Sequence, residues 1–271
     1  MATLPTLFIS HGSPMHALHA SRASEGWRAL AKRIPKPRAA LIASAHWETA
    51  APQVSLAPQP ETIHDFGGFP EALYHLTYPA PGAPDVAQAA LALLERAGLP
   101  AQGHPSRGLD HGAWVPLRYL YPDADVPVVQ VSVQSQRDCA HHLQLGRALA
   151  PLAREGVLII GSGHLTHNLR EFFTRMSSNA SQPTERYVAE FSQWVHATLT
   201  NHDENALTHW LERAPHARRA HPTAEHFLPL PFAYGAASGV THAPPSVERI
   251  ELGVYAGVLA MDAYLFGPAQ P

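Results

Sequence analysis

Histidines stand just beyond three short apolar runs. His11 follows Leu7–Ser10, His46 follows Ala39–Ser44 and one alanine, and His164 and His167 follow Val157–Gly161. Neutral imidazole is a common ligand for zinc, iron, copper and nickel. In an open parallel sheet, ligands bind at the carboxyl ends of the strands. If the three runs are strands of one sheet, they deliver imidazoles to a single edge. A lone histidine in such a place is more often a core or capping residue, but three at equivalent positions favour a site. The candidates are far apart in the chain, unlike the local HExxH pattern, so spacing alone does not define a ligand set. The small residues flanking His11 and His46 would let backbone approach a bound group.

Two further histidines have suggestive neighbours. In Asp110-His111-Gly112 the adjacent carboxylate could orient or charge the imidazole for proton transfer; the alternative is a turn held by the aspartate side chain. Pro222-Thr223-Ala224-Glu225-His226 reads as a helix start with Thr223 as cap. On that reading His226 is either a site residue or an ordinary first-turn residue.

The elements that must position these groups are legible in outline. Leu7–Ser10, Ala39–Ser44, Val126–Val133 and Val157–Gly161 are short, rich in Val, Ile or Leu, and bounded by polar residues, Gly or Pro. That is the pattern of strands covered on both faces. Helical spacing falls between and after them. Ser24 can cap a helix carrying Trp27, Leu30, Ala31 and Ile34. Asp85–Ala97 stops at Gly98, and His141–Arg154 stops near Gly156. Val188 to Leu199 and Leu207 to Ala214 repeat the helical period. Alternating strands and helices predict one α/β domain over residues 1–271, with a mainly parallel central sheet flanked by helices on both faces. The proline- and aromatic-rich stretch Thr49–Gly82 lacks periodicity and reads as a long ordered loop, of the kind that is often functional.

Composition narrows the class. Histidine numbers 19, as many as Lys and Arg together, and the net charge is -3. No bulk charge selects nucleic acid or an anionic membrane. There is one cysteine, so no intrachain disulfide can form. Neither a basic signal-peptide start nor an apolar run of about 20 residues occurs, and the expected location is the cytoplasm. His16, His19, His142, His196 and His209 are read as compositional. Nothing in the pattern argues for a particular oligomeric state.

Several segments together resemble a known family. They are His11-Gly12-Ser13-Pro14-Met15, Ser44-Ala45-His46-Trp47, Thr62 to Pro70, Tyr78-Pro79-Ala80-Pro81-Gly82, Leu109 to Trp114, His167-Asn168-Leu169-Arg170 and Pro222 to His226. The chain resembles the class III extradiol ring-cleavage dioxygenases, in the 4,5-DOPA dioxygenase branch, over nearly its whole length. The resemblance implies His11, His46 and His226 as metal ligands, the third replacing the glutamate usual in the wider family. It implies His167 as a base beside the metal, sometimes counted as a fourth ligand, and His111 as an acid–base residue. His64 and Asp65 would lie on the substrate side, and Phe69, in the same specific segment of the long loop, is expected to bind substrate as part of the pocket wall. The implied reaction is ring cleavage of a DOPA-like catechol by O₂. A 2-His-1-carboxylate set suits Fe(II), whereas three neutral imidazoles resemble a catalytic zinc site. The purified protein is therefore expected to carry zinc even if iron is the active metal. Two alternatives remain on the same scaffold: a zinc-dependent hydrolase and a non-catalytic metal-binding protein.

Overall fold

Residues 7 to 9 set the layering. Leu7 and Ile9 pack into one core cluster and Phe8 into another, all fully buried. Side chains alternate across a strand, so apolar residues at every position require cover on both faces. In a computed structural model describing residues 3–176, 183–240 and 244–267, that cover is helical. The Arg22–Ala31 and His111–Leu120 helices lie on one side. The Cys139–Leu149 and Pro229–Val240 helices lie on the other.

The strands are β1 (Thr6–Ser10), β2 (Ala39–Glu48), β3 (Gln53–Ser55), β4 (Gln102–His104) and β5 (Val128–Val133). They continue with β6 (Val157–Gly163), β7 (Ser246–Ile250), β8 (Val254–Tyr255), β9 (Leu259–Ala260) and β10 (Ala263–Gly267). Eight of them form one sheet in the order β4-β3-β5-β2-β6-β1-β10-β7, while β8 and β9 pair separately. The centre, β5-β2-β6-β1, is parallel. β10 and β7 extend it in antiparallel fashion on one side. Thus β1, β2 and β6 are neighbours running the same way, and their carboxyl ends share one edge.

Several boundaries differ from the sequence reading. β2 runs on to Glu48, with a register shift against β5 between Ala43 and Glu48 that encloses His46. A break of this kind re-aims side chains. The first helix is capped by Ser21, and Ser24 closes the capping box from inside the first turn. The Thr49–Gly82 stretch contains β3 and a short helix, Glu71–Tyr74. No helix starts at Thr223, whose hydroxyl bonds Glu225 Oε1; His226 lies in a turn before the helix beginning at Pro229.

Glycines let two backbones close on the core. A Cβ on Gly146 would lie 2.0 Å from the Phe232 carbonyl oxygen, and one on Gly163 would lie 2.2 Å from that of His226. Among the described residues no helix is long and apolar enough to cross a membrane.

Candidate metal centre and active site

His11 lies one residue past β1, His46 lies within the irregular end of β2, and His226 is held over the end of β6. The His164 amide donates to the His226 carbonyl at 2.8 Å, and Gly163 leaves the space that this approach needs. The three rings converge. His46 Nε2 lies 3.0 Å from His11 Nε2 and 3.3 Å from His226 Nε2.

The outer nitrogen of each ring fixes its tautomer. Ser162 Oγ donates to the Gly112 carbonyl, so toward His11 Nδ1, 3.1 Å away, it accepts. His226 Nδ1 donates to Glu225 Oε1 at 2.9 Å. His46 Nδ1 faces Asp65 Oδ2 at 3.4 Å. With all three Nδ1 atoms carrying hydrogen, each neutral ring points an Nε2 lone pair at the same centre. Three facing lone pairs have no donor between them. Nitrogens about 2.0–2.1 Å from one ion would stand about 3 Å apart. The donor set therefore fits a divalent cation bound by neutral imidazole. Burial keeps the rings neutral: it is the largest cause that holds His11 and His226 well below the ordinary histidine value and His46 down at about 4.

His111 opens its helix beside this cluster, its ring centroid 3.9 Å from that of His46. Its backbone amide and Nδ1 bond the two oxygens of Asp65, at 2.8 and 2.9 Å. Burial alone would raise the Asp65 carboxyl, but His111 and the nearby His46 hold it at about 2. The neighbouring carboxylate has a different task. Asp110 is fully buried as the helix cap and is bonded to Ser44, Arg107, Gln130 and the Ala113 amide. The carboxylate that orients His111 is thus Asp65, and Asp110 is the turn residue.

His167 stacks on His226, with ring centroids 3.5 Å apart and planes within 12°. Burial, with His164 nearby, drives its pKa down to about 2, so its imidazole is neutral. Asn168 caps the following Leu169–Met176 helix through the Glu171 amide. The rings open into a cavity of about 390 Å³. Phe69 lines it, with Phe66, Met15 and Phe172. His64 does not; its Nε2 bonds the Leu76 carbonyl at 3.0 Å and its ring packs on Trp114 and Tyr74. Asp65 also stands behind the imidazoles, outside the cavity wall. Gly12 has a positive φ of 71°, and a Cβ there would meet the His16 ring at 2.5 Å. Its smallness serves that packing as well as the turn.

The sequence alone assigned no role to Ser162, Glu225 or Phe66, while His164 was legible as a strand-end imidazole. Glu225 was legible as the immediate neighbour of His226. The Ser162–His11 contact spans two strands and has no local signature.

A family model described as the catalytic LigB subunit of aromatic ring-opening dioxygenase matches residues 5–257. The chain belongs to this family. It is a LigB-family ring-opening dioxygenase, an oxidoreductase whose family implies a non-haem metal, and it carries a histidine cluster able to hold one. The 4,5-DOPA dioxygenase extradiol of Beta vulgaris is 43% identical to it over 96% of each chain. The Escherichia coli K12 protein of the same name is 40% identical over 92% of this chain and 91% of its own. The crystal structure of an uncharacterised Escherichia coli K12 protein superposes with a TM-score of 0.79 at 33% identity, covering 97% of this chain and all of that one.

Proposed function

We propose that this LigB-family protein cleaves a catechol ring beside its diol with O₂, using Fe(II) held by His11, His46 and His226. The observation that carries the ligand set is the convergence of three Nε2 atoms, with the outer nitrogens of His11 and His226 hydrogen-bonded and that of His46 facing Asp65. The names of the relatives point to DOPA as the first catechol to test. A zinc-loaded form of the same site is expected on aerobic purification, since three imidazoles suit zinc equally well. Bound iron would bring catechol and O₂ together on one ion and supply the redox chemistry of ring opening.

The protein's own groups supply geometry and proton transfer. His167 cannot share an ion with His226 in the plane of both rings, because the two planes run nearly parallel about 3.5 Å apart. Its proposed role is instead a neutral base for a catechol hydroxyl proton, supported by its place on the cavity wall beside His226. His111 is a relay for a second proton: Asp65 fixes its Nδ1 hydrogen, leaving Nε2 to accept, and stabilises the imidazolium that results. Phe66 and Phe69 pack edge to face at 5.4 Å and offer an aromatic wall to the ring.

His167→Gln tests the assignment. Metal content should stay near normal, while the single-turnover rate with anaerobically loaded iron falls by about 10²–10⁴. Metal lost together with activity would make His167 a ligand. Full metal with full activity would move the base role to His164, the other neutral imidazole facing the cavity.

A further inference from the structure

Among the described residues, five large apolar side chains are exposed, and four of them border one cavity. Leu169, Phe173 and Met176 come from one face of the helix that follows His167, and Tyr255 comes from β8. They continue outward from the metal-facing floor, so the pocket has an imidazole base and an apolar mouth. No Lys, Arg, Asp or Glu lines it. Every Lys and Arg of the chain lies among the described residues, so this absence covers all of them. Arg175 is bonded to the Ala256 and Pro183 carbonyls and to Glu185. Arg107 is bonded to Asp110. Arg170, next to Leu169 in the chain, is exposed and outside the lining.

A catechol is held by its diol, so its ring substituent must project toward the mouth. A carboxylate there would give up water without gaining a partner, whereas an alkyl or aryl group would be covered by like surface. We infer that the Leu169–Met176 face and Tyr255 form a substituent subsite that selects catechols with uncharged, apolar side chains over those bearing a carboxylate. This rests on the ring-opening reading above. It concerns preference within that reaction, and DOPA remains a poorer substrate of the same site.

The test compares propylcatechol with 3,4-dihydroxyphenylacetate and DOPA on the iron-loaded enzyme. Their dissociation constants are measured separately on the redox-inert zinc-loaded protein. A methylene in an apolar pocket is worth about 10-fold or more, so kcat/KM should favour propylcatechol by at least about tenfold, with the same order in Kd. Met176→Arg should narrow or invert that ratio by improving the carboxylates. Equal or better use of the carboxylates by the unaltered protein would overturn the inference, as would a ratio that Met176→Arg leaves unchanged. Efficient use of carboxylates that disappears in Arg170→Gln would overturn it too, by identifying Arg170 as their anchor. If no catechol is cleaved, the ring-opening reading fails, while the ratio of Kd values still decides the subsite.

Discussion

Ser162 and Glu225 bond the outer nitrogens of His11 and His226, and Asp65 faces that of His46 at 3.4 Å; these partners aim the inner lone pairs. Partners of this kind typically change metal affinity by about 10–100-fold when removed. Glu225→Gln is therefore expected to weaken zinc binding by about that factor with little change in thermal stability, as read by competition with a chelator. His46→Ala should be far more severe. His46 Nε2 faces both other candidate ligands, and its loss should leave metal content near background by elemental analysis; normal stoichiometry would remove it from the ligand set. His11 and His46 were legible in the sequence because strand ends announce themselves locally. His226 was not: its turn lacks the helix that Thr223 seemed to begin, and only the family resemblance pointed to it. Asp65 could be placed in a functional segment, yet its pairing with His111 bridges two separate segments and needs the fold to be seen.

At the scale of elements, the site depends on how closely the turn at 221–228 can lie on β6. Gly163 decides that distance, since a methyl group there would collide with the His226 carbonyl. Gly163→Ala should displace His226, cutting metal content several-fold while the protein still folds. Circular dichroism and metal analysis on the same sample separate the two effects, and unchanged metal binding would show that the turn can shift without cost to the centre. The four parallel strands were readable because each carries a short run rich in buried Val, Ile, Leu or Ala. The Pro229–Val240 helix was not, since it is buried on almost every side, carries a second proline at Pro231, and so shows no amphipathic period. β3 also escaped notice: three residues between prolines give no pattern to detect.

Across the whole molecule, the abundance of histidine has a structural share that composition could not reveal. His142 is fully buried, with Nδ1 bonded to the Asp138 carbonyl and Nε2 accepting the Gln134 amide. A second proton would face that amide hydrogen. Burial holds His16, His142 and His221 at about 4. Unfolded, each returns to about 6.5, so below that pH the unfolded chain binds more protons and stability falls. The stabilisation is fully present above about pH 6.5 and declines as pH drops toward 4, by a few kcal/mol for each ring. Metal-free protein should lose melting temperature steadily from pH 7 to pH 4.5. His142→Asn should flatten part of that slope, and an unchanged slope would show that His142 does not contribute to it.

The convergence of His11, His46 and His226 also orders events in time. The first two emerge early in synthesis and the third much later, on the order of ten to forty seconds at ordinary elongation rates. β1 meanwhile lacks both sheet neighbours, since β6 and β10 follow it in the chain. If these three are the ligands, as proposed above, a nascent chain has no complete site for the ion until the closing turn has formed. On that ligand set the species that takes up the metal is the finished apoprotein, with its lone pairs already facing one another, and metal uptake by unfolded or truncated chains should be correspondingly weak.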